Sequence, residues 1–220
     1  MRFGRRDRDA SDGTAEAPAA DQAHEPASGP HDVADVDLDA DGPPRADLGG
    51  LLVTGGEGIE LRLQADQQTG AVTSVLLAGA DGAVELRAFA APKSGGLWEE
   101  LRREMIAEAA RLGGTGDELP ADSPADQPQL RLRVPVKGVD GRPAVQVSRV
   151  AAYEGARWLL RATFLGAAAT TADADGPLER AVRDVVVVRG QGAMSPREPL
   201  VLRLPPEARP THSSPRTIEP

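Results

Sequence analysis

The sequence predicts an α+β fold: a mostly antiparallel sheet of about six to seven strands, with one long and one short helix packed on it and disordered tails at both ends. Two observations lead to this prediction. Bulky apolar residues are concentrated in residues 47–206, where most segments show strand-like alternation. The elements also run strands, helix, strands, helix, without the regular strand–helix alternation of parallel folds. Residues 47–206 are therefore one predicted domain.

The tails hold too few bulky apolar residues to offset the entropy cost of ordering them. Residues 1–46 form the N-terminal arm, which is acidic after a basic start, and residues 207–220 form the C-terminal tail. The net charge is −9, and residues 7–41 carry eleven acids against one base, so the rest of the chain sums to about +1. We expect little attraction for nucleic acid from such a chain. Residues 29–37 of the arm alternate acidic and apolar residues, as docking motifs do.

The composition also limits the compartment and the chemistry. Cysteine is absent, which excludes disulfides, thiolate zinc sites and cysteine nucleophiles. No apolar run approaches the roughly 20 residues that span a bilayer. The basic start lacks the apolar segment of a signal peptide. We therefore expect a cytoplasmic protein that does not enter a membrane.

The first half of the domain reads as strands. Residues 51–53 form a short one, and Ile59, Leu61 and Leu63 alternate with polar residues in the next. Residues 72–77 and 84–90 form two more, joined by a hairpin turn at residues 80–82.

The longest predicted helix covers residues 97–112. Its apolar residues recur at three- and four-residue spacing, as one buried helix face requires: Leu97, Leu101, Met105, Ala109 and Leu112. Glu99 and Glu100 lie in the first turn, where the helix dipole favours negative charge, and Gly113 ends the helix.

The second half repeats the pattern after a polar linker at residues 114–128. Strands are predicted at residues 130–136, 144–150 and 157–165, followed by a loop at residues 166–176. Pro177 suits the first position of a short helix. Leu200, Leu202 and Leu204 indicate an extended segment laid on the domain. The order of these elements is similar to that of the sandwich seen in the Mog1 and PsbP proteins, an analogy of fold alone.

Six segments of the chain have a distinctive sequence: Phe3-Gly4-Arg5-Arg6, Gly29-Pro30-His31-Asp32, Ala90-Ala91-Pro92-Lys93-Ser94-Gly95-Gly96-Leu97-Trp98, Arg157-Trp158-Leu159-Leu160-Arg161, Asp184-Val185-Val186-Val187-Val188-Arg189-Gly190 and Pro199-Leu200-Val201-Leu202-Arg203-Leu204-Pro205. Together they resemble an actinobacterial family, the domain of unknown function 3710. The resemblance covers nearly the whole chain outside its variable tail. The resemblance implies a bacterial cytoplasmic protein and implies no catalytic residue.

Histidine and metal chemistry are poorly supported. His24, His31 and His212 all fall in segments predicted to be disordered, so the predicted fold has no histidine for a triad or a metal site. Residues 37–42 match the first half of a calcium loop, but Leu48 stands where a bidentate Glu is required. Glu99, Glu100 and Glu104 are interpreted as a solvated helix face. No cofactor and no metal are predicted.

The corner before the long helix is one candidate ligand site. Free backbone amides at a helix start can hold an anion, and glycine allows close approach. The candidate residues are Lys93, Ser94, Gly95, Gly96 and Trp98. A tight corner that packs Trp98 inward is the competing structural interpretation.

A set of arginines is the second candidate, as a partner-binding surface. Arg131 and Arg133 alternate with apolar residues, and Arg157 and Arg161 alternate with the row of Trp158. If the three strands form a meander with Arg149 between them, one solvent face carries up to five guanidinium groups and could bind an acidic partner or the arm itself. A solvated face with weak ion pairs is the competing interpretation.

The function predicted from these features is a non-enzymatic protein-interaction module with a disordered acidic arm and an unknown protein partner. The alternative is a domain that binds a small molecule or an anion at the corner formed by residues 94–98, either as a binding protein or as an enzyme. The pattern excludes a membrane partner and disfavours nucleic acid.

Overall fold

The α+β prediction is confirmed by a computed structural model, which describes residues 29–38, 44–120, 127–138 and 140–205. Within these ranges, eleven strands form two sheets, and three α-helices pack on them. None of the helices in the described ranges is long and apolar enough to cross a membrane.

The large sheet has seven strands, and each neighbouring pair is antiparallel. In chain order its strands are β4 (Glu60–Ala65), β5 (Val72–Gly79), β6 (Gly82–Ala90), β7 (Thr115–Leu119), β8 (Gln129–Lys137), β9 (Pro143–Gly155) and β10 (Trp158–Gly166). Their spatial order is β4-β5-β6-β10-β9-β8-β7. The sheet is thus built from two antiparallel meanders that meet where β10 pairs with β6.

The small sheet has four short strands in the order β1-β11-β3-β2. These are β1 (His31–Asp32), β2 (Arg45–Asp47), β3 (Leu51–Thr54) and β11 (Val186–Val187), and only β1 and β11 run parallel. The helices are α1 (Leu97–Arg111), α2 (Ala167–Thr170) and α3 (Pro177–Arg183).

The large sheet is buried on both faces. On face A, residues such as Leu77, Leu86 and Phe164 pack against the small sheet and α3 in the larger core. On face B, α1 covers the half that contains Leu130 and Leu159. A strand with one apolar row can therefore turn that row toward either layer.

The turn between β5 and β6 requires glycine at one position. Gly82 has a φ of 150°, and a Cβ there would lie 2.2 Å from the carbonyl oxygen of Leu165. No side chain fits at this distance, so the hairpin predicted from residues 80–82 depends on glycine for close strand packing.

Four predicted segments differ from the structure, and one of them is the end of the predicted disordered arm, where Arg45 and Ala46 lie in β2. Residues 115–119 of the predicted polar linker form β7, because their backbone pairs with β8 although their side chains are mostly polar. Residues 167–170 of the predicted loop form α2. Residues 29–38, predicted to be disordered, have defined structure that includes β1 and a 3₁₀ turn at Val33–Asp35. Arm residues 1–28 and the tail from residue 206 lie outside the described residues.

The predicted extended segment near Leu200 pairs with its own domain. The amide of Leu200 donates to Ala88 O, and the amide of Gly50 donates to Val201 O. Leu200 and Leu202 are buried, whereas Leu204 is exposed. The segment thus connects the C-terminal end of β6 with the small sheet. We call residues 195–205 the C-terminal strap.

Candidate binding cleft beside Arg149

The helix corner is held by a carboxylate of the chain itself. Glu154, at the end of β9, accepts a 2.9 Å hydrogen bond at Oε1 from the amide of Trp98 in the first turn of α1. Gly96 precedes the helix with a φ of 83° and has no side chain with which to cap it. Glu154 therefore caps the N-terminus of α1 from a strand that is distant in sequence. It also adds negative charge at the positive end of the helix dipole.

This contact weighs against the predicted anion site. Lys93, Ser94, Gly95 and Gly96 are exposed, while Trp98 is buried and donates its indole N–H to Pro128 O at 2.8 Å. The five candidates do lie together, as adjacency in sequence requires. However, an external anion would have to compete with Glu154 for the same amide.

The prediction that five arginines share one solvent face is wrong. Arg131 pairs directly with Arg149 across the ladder, so these two and Arg133 lie on face A. Arg161 pairs with Arg87 and lies on face B. Arg157 is exposed in the turn between β9 and β10, with a φ of 68°.

The error has a physical cause. In β8 the apolar row, Leu130 and Leu132, packs under α1 on face B. In β10 the apolar row that starts at Trp158 packs into the larger core on face A. Arginines that alternate with these two rows therefore point in opposite directions.

Arg149 is buried and joins four elements. Only 4% of its side chain is exposed, and Nη2 lies 2.6 Å from Oε1 of Glu179, which is itself 13% exposed. Nε and Nη2 donate to the carbonyl of Ala168 at 3.2 and 3.1 Å, and Nη1 donates to Oε1 of Gln129 at 3.1 Å. The guanidinium also lies 3.8 Å from the ring centroid of Phe164. Arg149 thus ties β8, β9, α2 and α3 together, which is a structural role.

Arg161 occupies a different environment. Its guanidinium lies 5.7 Å from the ring centroid of Phe89. Burial and the charge of neighbouring Arg87 lower the pKa of Arg161, and Glu85 partly opposes this effect. Arg87 and Glu85 form a 2.8 Å ion pair beside it. Arg133, in contrast, forms an exposed pair with Asp117 at 2.6 Å.

A cleft of about 150 Å³ opens beside Arg149. Its polar walls come from the start of β8, from β9 and from α3: Gln127, Gln129, Arg149, Tyr153, Glu179 and Arg183. Ala172 and Ala174, from the connection between α2 and α3, complete the rim. The cleft therefore combines a neutralised Arg149–Glu179 pair with a second arginine, Arg183.

The first described segment of the chain docks next to this cleft. His31 donates its amide to Val185 O at 2.9 Å, and β1 pairs in parallel with β11. Asp32 accepts a 2.7 Å hydrogen bond at Oδ2 from Nε1 of Trp158. His31 is therefore held by the backbone in a half-buried strand, contrary to the disorder predicted for it.

A family model described as a protein of unknown function, DUF3710, matches residues 29–211. This chain belongs to the DUF3710 family. No curated protein matches its sequence. The match begins at Gly29, where the described N-terminal segment also begins, so docked strand β1 lies within the DUF3710 region.

In this DUF3710 domain, the described residues contain no group of three or more His, Asp or Glu side chains placed to hold a metal ion. Of the calcium-like motif, only Asp37 and Leu38 fall in the described ranges, and residues 39–42 lie outside them. His24 and His212 also lie outside.

The sequence pattern does not identify three acidic residues with structural roles in this DUF3710 domain. They are Asp32 at the docked strand β1, Glu154 at the start of α1 and Glu179 in the Arg149 cleft. Each acts on a partner far away in sequence, respectively Trp158, Trp98 and Arg149. For Asp32 a signal was present, since the acidic–apolar alternation of residues 29–37 indicated docking. Nothing local distinguished Glu154 or Glu179 from other surface acids.

Proposed function

We propose that this DUF3710 protein is a bacterial cytoplasmic, non-enzymatic protein-interaction module that presents an acidic arm from a fixed point on its folded domain. The supporting observation is the docking of β1. Main-chain pairing with β11 and the Asp32–Trp158 hydrogen bond hold residues 31–32 on the small sheet. The described chain therefore begins, at Gly29, against Arg183 of the Arg149 cleft.

The charge of these residues specifies the kind of partner. Residues 7–28 hold six acids and one base, which gives a net charge of −5. An anchored segment of this charge attracts a basic surface and speeds the encounter with it. Anchoring also raises the effective concentration of the arm near any surface of the domain that contacts the same partner. A protein with a basic patch is the partner class that fits.

The test is an affinity capture from bacterial lysate with the full chain and a matched variant. The variant changes the six acids of residues 7–28 to Asn or Gln and keeps the folded domain intact. We expect a basic protein to be retained by the unaltered chain and lost with the neutralised arm. The retained protein is then purified and titrated against both forms, because direct binding must show the same difference.

A second variant, Asp32→Ala, separates the charge of the arm from its anchoring. We expect it to bind the purified partner more weakly than the unaltered chain, because the arm no longer leaves from a fixed point. Equal binding of the partner by all three proteins would refute the proposal.

A further inference from the structure

The cleft beside Arg149 has one cationic group that the described residues leave unneutralised. Arg149 is matched by Glu179 at 2.6 Å. Arg183 lines the same cleft and is half-buried, and within the described part of the chain its guanidinium has no ion-pair or hydrogen-bond partner. The cleft therefore carries a net positive charge in partly desolvated surroundings, where an incoming anion is favoured.

A neutral polar group beside Arg183 complements this charge. Gln127 lines the cleft, and its side-chain amide can donate a hydrogen bond. The volume of about 150 Å³ suits a small molecule with one or two acidic groups. Planar guanidinium groups bind carboxylates in a two-point geometry.

We propose that this cleft is a carboxylate-binding site, with Arg183 as its main binding residue and Arg149 as a positioning residue that holds Gln129. The inference does not rest on the proposed interaction function. It differs from the arginine surface expected from sequence, because Arg183 lies outside that set and Arg149 is already paired.

Two sources can supply the carboxylate. One is a free dicarboxylate. The other is the arm itself, since a Cβ on Gly29 would lie 1.8 Å from the carbonyl oxygen of Arg183, so the chain passes directly over this residue. Glu25 is four residues before Gly29, and four extended residues reach about 14 Å. A tether of this length is long enough for the Glu25 carboxylate to reach the cleft.

An NMR titration of the full chain with succinate tests the site. We expect saturable amide shifts at Tyr153, Ala172 and Ala174. Arg183→Gln should weaken binding by about tenfold or more, because it removes charge-assisted hydrogen bonds. Arg183→Lys keeps the charge, so its affinity for succinate should lie between those of the unaltered chain and Arg183→Gln. Arg203→Gln, a change to an exposed arginine on the C-terminal strap, should bind like the unaltered chain.

The variant Asp21→Asn/Glu25→Gln distinguishes the sources. If it binds succinate about tenfold more tightly than the unaltered chain, the arm carboxylate occupies the site and competes. If the affinities are equal, the site serves a free carboxylate. The proposal is overturned if neither the unaltered chain nor the arm variant shows saturable shifts, or if Arg183→Gln binds equally well. Failure here leaves the arm-dependent capture result unaffected.

Discussion

Oδ2 of Asp32 accepts a 2.7 Å hydrogen bond from the indole Nε1 of Trp158, although 126 residues separate the two in sequence. The other carboxylate oxygen, Oδ1, accepts a 2.9 Å hydrogen bond from the amide of Ala34. One side chain thus starts the 3₁₀ turn and attaches it to the large sheet. Because Trp158 is 2% exposed, its indole N–H would otherwise be buried without a partner.

Asp32→Ala should destabilise the protein by about 1–3 kcal/mol, because it leaves the Trp158 donor unsatisfied. Trp158→Phe removes that donor, so the double variant should cost less than the sum of the two single changes. Urea unfolding measures the free energies, and hydrogen exchange at the His31 amide reports the docking of β1. Asp35→Ala is the matched control and should leave the His31 amide protected. Additive effects would show that the two side chains act independently.

Arg149→Met should cost about 3–5 kcal/mol, since it leaves Glu179 buried without its partner. The double variant Arg149→Met/Glu179→Met should recover much of this loss, because no uncompensated charge remains. Arg142→Met is the control: its pair with Asp140 is exposed, with a 3.6 Å separation, and we expect a change within about 0.5 kcal/mol. Unfolding in urea at neutral pH provides the comparison. If the double variant is no more stable than Arg149→Met, the buried pair is not the source of the effect.

Glu154→Ala should destabilise α1 by about 1 kcal/mol, as the loss of an N-cap does, and Glu154→Gln should cost less because it keeps an acceptor. Removing the carboxylate also frees the amide of Trp98 for an external anion. In an NMR titration with phosphate, we expect the amides of Gly95, Gly96 and Trp98 to shift in Glu154→Ala and to stay in place in the unaltered chain. Equal shifts in both proteins would restore the corner as an anion site.

Arg197 attaches the C-terminal strap to α1 through Glu100 at 2.8 Å and Glu104 at 2.9 Å. Hydrogen bonds to these carboxylates raise the pKa of Arg197, so it stays charged throughout the accessible pH range. The pairs are exposed, so Arg197→Ala should cost little stability, and salt near 1 M should remove the electrostatic part.

The backbone of Arg197 supplies a matched comparison. Its φ is 71°, a left-handed conformation that glycine adopts with less strain. Arg197→Gly should therefore be at least as stable as Arg197→Ala, although glycine usually loses more entropy on folding. Thermal unfolding at low and high salt measures both effects. If the alanine variant is clearly the more stable, the left-handed backbone is not a source of strain.

Asp66 should make a pH-dependent contribution to stability. Its carboxylate accepts hydrogen bonds from the Thr69 and Gln68 amides and from the Thr69 hydroxyl in the β4–β5 turn. These bonds, first that from the Thr69 amide, lower the pKa of Asp66 below its ordinary value of 3.8. A lowered folded-state pKa gives stability that is fully present above the unfolded value and is lost as pH falls through the folded value.

The measurement is the urea midpoint of the unaltered chain and of Asp66→Asn, which keeps an acceptor but not the charge. We expect the unaltered chain to be more stable near neutral pH, and the difference to shrink as pH falls below 3.8. Asp66→Ala, which also loses the acceptor, should be less stable than Asp66→Asn at every pH. A difference that does not vary with pH would show that the charge contributes nothing.

Most strands and the long helix could be predicted because their signal is local. Leu97 to Ala109 repeats at helical spacing and forms α1, and the alternation from Ile59 to Leu63 corresponds to β4. β7 was missed because backbone pairing with β8, and not apolar side chains, holds residues 115–119 in the sheet. The prediction of disorder for residues 29–38 is wrong for a related reason. Main-chain pairing and the Asp32 carboxylate anchor a segment that is poor in apolar residues.

The candidate sites were less predictable. Alternation in a single strand shows that the side chains on its two faces differ in polarity. It does not show which layer each face contacts when a sheet is buried on both faces. For this reason the sequence pattern predicts Arg149 and Arg161 on one face, although they lie on opposite faces. Arg183, with no partner in the described residues, was indistinguishable from any other helix arginine.

The sequence by itself determined the α+β class, most of the elements, the absence of cysteine chemistry and the acidic character of the arm, because these depend on composition and on spacing between near neighbours. The tertiary structure alone decided that Glu154 caps α1, that Glu179 neutralises Arg149 and that Asp32 anchors the arm at Trp158. The separation in sequence is 30 residues for Arg149 and Glu179, 56 for Trp98 and Glu154, and 126 for Asp32 and Trp158. Local spacing carries no information about such pairs, since strand order and register bring them together.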